Sequence, residues 1–320
     1  MGEGGNQPSA VSRQPSACAP LTADGSVPGP GSVGDALGCA RGALESAGLA
    51  DPAREADELY AALVQGPASV AWQAREERIP ASRLAALQEA VRRRAAGWPQ
   101  AYATGWAAFR GHWLEVDRRV LIPRPETEGL VELVMEWVRG CAGAPAPRHA
   151  GTAADVGTGS GAIALALALE GPFDRVWAIE RSADALAVAR GNVRRLGVEG
   201  RVSVVPGDLL EPLAGRQVDV VVSNPPYIAT GELAELEASV RDFEPMRALD
   251  GGADGLGPTR RLAEAARRRL VPGGLLALEV DSRRATETAV AVEEAGFSAV
   301  AIAYDLFQRP RYVWAEHPGE

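Results

Sequence analysis

Apolar residues recur at helical spacing over residues 33–96: Leu37, Ala40, Leu44 and Leu49, then Leu59 and Leu63, then Leu84, Leu87 and Val91. Pro52, Pro67 and Pro80 interrupt this pattern, which predicts a small bundle of short, Ala-rich helices. The helical period is lost from Trp98 to Thr127, where Tyr102, Phe109, Trp113, Val116 and Val120 are interleaved with Gly105 and Gly111. That pattern predicts a hairpin-like connector. A second helix over residues 128–138 and a Pro/Ala/Gly linker over 141–151 come next, and short apolar runs then alternate with helical stretches. Strands are predicted at residues 153–156, 176–179, 202–205, 218–222, 275–280, 300–303 and 312–315. Helices between the early runs make this an α/β chain with a seven-stranded, doubly wound sheet. The last two runs lie too close for the crossover of about a dozen residues that parallel strands need, so they predict an antiparallel C-terminal hairpin.

A length of 320 residues with 46% hydrophobic content can fill two cores. The expected organisation is a tail over 1–32, a helical domain over 33–97, the connector over 98–127 and an α/β catalytic domain over 128–320. Residues 1–32 are rich in Gly, Pro, Ser and Ala, a composition that buries too little apolar surface to offset ordering entropy, so disorder is expected there. The longest apolar run, residues 162–169, ends at Glu170 and is far short of the roughly 18 residues that span a bilayer. The start of the chain has no basic stretch followed by an apolar one, which reads against a secretory signal. Cys18, Cys39 and Cys141 are scattered and odd in number, suggesting neither a disulfide framework nor a Cys-type zinc site. These features together predict a cytoplasmic protein without metal. A formal charge of −9 argues against a surface built to neutralise phosphates, so direct nucleic-acid binding is disfavoured.

Asp155 and Val156 lead into Gly157, Thr158, Gly159, Ser160 and Gly161, where a strand turns into a helix. Glycines there permit a tight turn and close approach of a ligand, and Ser160 is placed to cap the helix. A Gly-rich turn alone also fits a nicotinamide site, another nucleotide, or a bare turn. Glu180 ends the next strand at the distance where a carboxylate can accept bonds from ribose hydroxyls. It can equally serve the dipole of the helix after Ser182. Asp208 follows the third strand and can accept from an adenine amino group, with Leu209 packed on the ring. No lysine-bearing phosphate loop is present, and His112, His149 and His317 fall in the connector, the linker and the C-terminal segment, which leaves them no evident chemistry.

The fourth strand ends in Asn224, Pro225, Pro226 and Tyr227. Consecutive prolines stiffen the backbone and remove two N–H donors, leaving carbonyl oxygens free to accept. A conjugated NH2 is a poor nucleophile, as the roughly 18–20 kcal/mol amide rotation barrier indicates. Acceptors at the Asn224 side-chain oxygen and the Pro225 carbonyl would favour a tetrahedral nitrogen and the positive charge that builds as a methyl arrives from a sulfonium donor. Tyr227 can stack on the planar group. Positioning of this kind can supply roughly 7–11 kcal/mol, so no strong base is needed.

These segments resemble the protein glutamine N5-methyltransferases of the HemK/PrmC type. The resemblance spans about residues 33–316 and also rests on Tyr102-Ala103-Thr104-Gly105 with Phe109, and on Leu121-Ile122-Pro123-Arg124-Pro125-Glu126-Thr127-Glu128. It extends to Glu244-Pro245, Ala248-Leu249-Asp250-Gly251-Gly252 and Asp254-Gly255-Leu256. It implies a class I S-adenosylmethionine-dependent methyltransferase fold preceded by a helical substrate-recognition domain. It assigns Gly157, Thr158, Gly159, Ser160, Gly161, Glu180, Asp208, Leu209 and Asn224 to the donor, S-adenosylmethionine. Asn224, Pro225, Pro226 and Tyr227 fall to catalysis and the substrate glutamine, which in this family belongs to the Gly-Gly-Gln motif of peptide chain release factors. The 123–128 segment resembles a loop that closes over the site, with Arg124 and Glu126 in support. The chain departs from the family at residues 279–284, where relatives commonly carry a Gly and a Gln, and at Asp305-Leu306-Phe307-Gln308 in place of Asp-Leu-Ala-Gly. Those departures bear on the protein partner. The rival readings are an N6-adenine nucleic-acid methyltransferase, which would use the same tetrad, a methyltransferase of another glutamine-bearing protein or small-molecule amide, and a binding module without turnover.

Overall fold

The computed structural model describes residues 31–140 and 151–319, so most of the expected tail and linker lies outside the described residues. The chain divides into two compact units, Met1–Ala96 and Gly97–Glu320.

In the first unit, α1 (Val33–Ser46) begins at a capping box: Ser32 Oγ accepts from the Asp35 amide at 3.1 Å, and the Asp35 carboxylate accepts from the Ser32 amide at 3.2 Å. Its buried stripe is Val33, Ala36, Leu37, Ala40 and Leu44, which takes in the periodic Leu37, Ala40 and Leu44, while Leu49 lies beyond the helix end. Asp51 caps α2 (Pro52–Val64), where Pro52 occupies the first turn, which has no need of its N–H. A single turn, α3 (Val70–Gln73), leads to α4 (Ala81–Ala95), which buries Leu87, Ala90 and Val91. Its arginines are used locally: Arg92 and Arg93 bond Glu89, and Arg94 grips Glu55 at 2.6 and 2.8 Å. Arg92 and Arg93 thus lie on a solvated face, while the part-buried Arg94 ties α4 to α2.

The second unit opens with α5 (Gln100–Thr104), which the hairpin reading missed because so short a segment shows little helical period. It ends at Gly105, φ 84°, and the expected hairpin follows as β1 (Trp106–Phe109) and β2 (His112–Glu115). Next comes α6 (Pro125–Arg139), three residues earlier than predicted: Pro125 at its start needs no hydrogen-bonded N–H. The α/β body then runs β3 (Thr152–Val156), α7 (Ala162–Glu170), β4 (Arg175–Glu180), α8 (Ala183–Arg195), β5 (Val202–Pro206), β6 (Val218–Ser223), α9 (Ala238–Arg241), α10 (Gly257–Arg267), β7 (Leu270–Glu279), α11 (Ala285–Glu294), β8 (Ser298–Tyr304) and β9 (Pro310–Glu316). The sheet order is β5-β4-β3-β6-β7-β9-β8, parallel through β7, with β9 antiparallel to both β7 and β8.

The central strands of the sheet are buried on both faces, which is why they read as apolar runs and not alternations, while the edge strand β8 is partly exposed. Successive residues go to opposite cores. Ala153, Val220, Val222 and Ala277 pack with α6 and α7, while Ala154, Val221, Leu276 and Leu278 pack with α10 and α11. Helix α7 is buried from Ala162 to Ala168 on every side, so its apolar run is a core helix. Among the described residues no helix is long and apolar enough to cross a membrane.

Candidate active site

Strand β3 lies between β4 and β6, the point where successive connections leave in opposite directions. In open α/β sheets the crevice beyond the carboxyl ends of the strands at that point takes the ligand. The segments after β3, β4, β5 and β6 meet there in one cleft. Gly157, Gly159, Glu180, Asp208, Leu209, Asn224, Pro225 and Pro226 line it; Thr158, Ser160, Gly161 and Tyr227 do not.

Gly157, Gly159 and Gly161 sit at φ 73°, 56° and 88°, the left-handed region that glycine enters without a Cβ clash. Ser160 does not cap α7, contrary to the sequence reading. Gly161 holds the cap position, and Ser160 is buried with its carbonyl accepting from Asn192 Nδ2 at 3.0 Å. The carboxylate that serves the start of α7 is Asp155, whose Oδ2 accepts from Thr158 Oγ1 at 2.5 Å and the Ala164 amide at 3.0 Å. Complete burial, with the Glu180 charge adding to it, pushes the Asp155 carboxyl up to about 7.

Glu180 is bonded within the loops that flank the cleft. One oxygen accepts from the Gly159 amide at 3.1 Å and the other from the Ser182 amide at 2.8 Å, which fixes the carboxylate while it still faces the cleft. Each oxygen carries two acceptor sites, so ribose hydroxyls could be served as well. Asp208 is bonded to the Arg261 guanidinium through Oδ2, and Leu209 stands at φ 49° beside it. No Cβ-excluding neighbour crowds Gly157, so a ligand can lie against that backbone. This set fits a nucleoside-bearing donor. No group of His, Cys, Asp and Glu suited to a metal ion occurs among the described residues.

On the target side, Pro225 is buried and Asn224 partly so. Asn224 Nδ2 donates to Thr127 Oγ1 at 3.2 Å, and Thr127 Oγ1 donates to Glu279 Oε2 at 2.7 Å. Thr127 comes from the first turn of α6 and Glu279 from the end of β7. Glu279 is almost wholly buried; desolvation pushes it up to about 7, against Thr127 and Arg311, which draw it down. Burial, with Glu279 nearby, likewise raises the Tyr227 phenol.

The backbone of the tetrad is braced by the Asp250–Gly255 stretch. Ile228, next after the tetrad, bonds to both sides of Asp250: its amide donates to the Leu249 carbonyl at 3.1 Å, and its carbonyl accepts from the Gly251 amide at 2.8 Å. A Cβ on Gly251 would stand 2.8 Å from the Pro226 carbonyl oxygen, and one on Gly255 would stand 2.5 Å from that of Tyr227. Only glycine permits that approach. Arg124, at the cap of α6, bonds the buried Glu244 at 2.5 Å, which ties the 123–128 segment to the loop after α9. The Glu126 side chain lies 3.6 Å from Arg309, and its carbonyl accepts from the Tyr312 hydroxyl at 2.6 Å.

Reading along the chain missed Thr127 as the partner of Asn224, Glu279 as the partner of Thr127, and Arg261 as the partner of Asp208. For Glu279 a signal existed: a carboxylate at the end of an otherwise apolar run, where a buried charge calls for a partner.

Comparison with known proteins agrees with this architecture. Residues 35–105 match the family described as PrmC N-terminal domain, and residues 144–240 match the Methyltransferase small domain. A release factor glutamine methyltransferase of Moorella thermoacetica is 45% identical over 249 residues, covering 77% of this chain and 84% of the relative. One from Cereibacter sphaeroides is 38% identical over 285 residues, covering 89% and 98%. The fold, the cleft and these likenesses together place the chain in the release factor glutamine methyltransferase family.

Proposed function

We propose that this enzyme transfers a methyl group from S-adenosylmethionine to the side-chain amide nitrogen of a glutamine, the one in the Gly-Gly-Gln motif of a peptide chain release factor. The observation that carries the reading is the Asn224 amide, held at the cleft beside the Gly157 and Gly159 backbone. Bound there, the donor supplies an electrophilic methyl on sulfur. Gly157, Gly159, Glu180, Asp208 and Leu209 hold its nucleoside part, Glu180 at the ribose and Asp208 at the adenine edge. Thr158, Ser160 and Gly161 act indirectly, by shaping the loop.

The protein's share of the chemistry is to orient and polarise. Asn224 Oδ1 and the Pro225 carbonyl accept from the substrate NH2, favour a tetrahedral nitrogen and stabilise the positive charge that builds on it. Pro226 keeps this backbone rigid; Tyr227 does not line the cleft, so stacking on the planar amide requires its ring to turn toward the bound substrate. As the nitrogen takes the methyl, the donor's S–CH3 bond breaks and a neutral thioether leaves; the cationic amide nitrogen then gives one N–H proton to water, so no general base is required. We assign choice of protein partner to the N-terminal helical unit and place the reaction in the cytoplasm.

Labelled S-adenosylmethionine incubated with release factor tests this reading. Label should enter the wild-type factor and not one whose motif Gln is replaced. Label on DNA instead, or on both factors equally, overturns it.

A further inference from the structure

We infer that Thr127 and Glu279 are positioning residues that fix which end of the Asn224 amide faces the substrate, through the directed chain Asn224 Nδ2 to Thr127 Oγ1 to Glu279 Oε2. The inference rests on the proposed role of Asn224 and adds a cause for it. An amide side chain has a donor end and an acceptor end of nearly the same shape, so geometry alone lets it turn over. Only one orientation serves the reaction. With Oδ1 toward the cleft, Asn224 accepts from an NH2; with Nδ2 toward the cleft, it opposes the same group donor to donor.

The direction follows from the hydroxyl in the middle. A carboxylate has no proton to give, so Glu279 can only accept, and the single Thr127 proton goes to it at 2.7 Å. The Thr127 oxygen then offers only a lone pair toward Asn224, which must answer with Nδ2, at 3.2 Å. Every link is buried or partly buried, where a mismatched pair is costly. The three residues come from the start of α6, the end of β6 and the end of β7, so the chain closes only when all three elements are docked.

Protonation of Glu279 removes the constraint, because a neutral carboxyl can donate to Thr127 and let the whole chain reverse. Its surroundings are Arg124 and Glu126 ahead of and within α6, Arg311 and Tyr312 on β9, and Tyr227 after β6. Desolvation outweighs the two arginines and places the group near 7. Turnover should therefore fall as pH drops through about 7.

Nuclear magnetic resonance of the Asn224 side-chain amide, on the full chain, tests orientation without any substrate. Wild type and Thr127→Ser should give one hydrogen-bonded Nδ2 proton, slow to exchange; Thr127→Val should lose it. With release factor, Thr127→Val should lose roughly 10- to 100-fold in kcat. KM for S-adenosylmethionine should be unchanged, and Thr127→Ser should recover most of the rate. Glu279→Gln, which presents donor and acceptor alike, should flatten the pH step. An Asn224 amide and a pH step unaltered in Thr127→Val and Glu279→Gln would overturn the relay, even if wild type methylates the factor normally. Loss of the Nδ2 signal in Thr127→Val would support it even if another substrate proved to be the true one.

Discussion

In the cleft the Glu180 carboxylate is held by residues near it in sequence, whereas Asn224 on the target side is held by distant ones, as is Asp208, whose partner Arg261 lies 53 residues away. Glu180 reaches Ser182 and Gly159, 2 and 21 residues away. Asn224 reaches Thr127 across 97 residues, Thr127 reaches Glu279 across 152, and Arg124 reaches Glu244 across 120. A β3-α7-β4 unit can shape most of the donor loop by itself, whereas the target side is assembled only when α6, β6, β7 and the 250–255 stretch have all docked. Substitutions should therefore divide cleanly: changes on the target side cost turnover, and changes on the donor side cost donor affinity.

The sharpest division should come from Asn224→Ala. Turnover should fall about 10²- to 10³-fold, the range for removing one preorganised transition-state contact. Donor affinity, measured by calorimetry, should stay within about twofold of wild type; a large loss of affinity would mean the two sides are not separable. Gly251→Ala ranks next. Its Cβ would press on the Pro226 and Gly255 carbonyl oxygens at 2.8 and 2.7 Å, so the tetrad must shift. Turnover should drop some tens of fold, with a melting temperature lower by a few degrees and donor affinity retained.

On the other side, Glu180→Gln weakens bonds to charge without removing the side chain. KM for the donor should rise about tenfold at nearly constant kcat. A fall in kcat with KM unchanged would place Glu180 on the target side. The smallest effect is on stability. Asp155 and Glu279 both stand near 7 in the folded protein, above their ordinary values of 3.8 and 4.5. Folding therefore favours their protonated forms: this contribution is complete below the ordinary carboxylate range and is lost as pH rises through about 7. Thermal melts should show slightly lower stability at pH 8 than at pH 5.5, and Glu279→Gln should reduce the difference.

The same contrast explains what could be read along the chain. The strands, the order of helices and the C-terminal hairpin follow from apolar runs and spacing, which are local. Gly157, Gly159, Glu180 and Asp208 follow one strand after another at the same edge, so position alone brings them together. Glu279 also ends a strand at that edge, and its place in an apolar run calls for a partner, but that the partner is Thr127 is set by the seat of α6 on the sheet. Ser160 was misread for a related reason: a serine before a helix suggests a cap, but the loop turns once more at Gly161, and Asp155 from the preceding strand takes the task. Gly251 and Gly255 were visible as a motif, while their reason, the approach of the Pro226 and Tyr227 carbonyls, is purely tertiary.

The central claim is that the cleft methylates an amide nitrogen, and tandem mass spectrometry of the release factor after reaction tests it most directly. Fragment ions should place a single methyl on the side-chain nitrogen of the motif glutamine with the wild-type enzyme and none with Asn224→Ala. A methyl on any other side chain, or equal methylation by Asn224→Ala, would contradict the account.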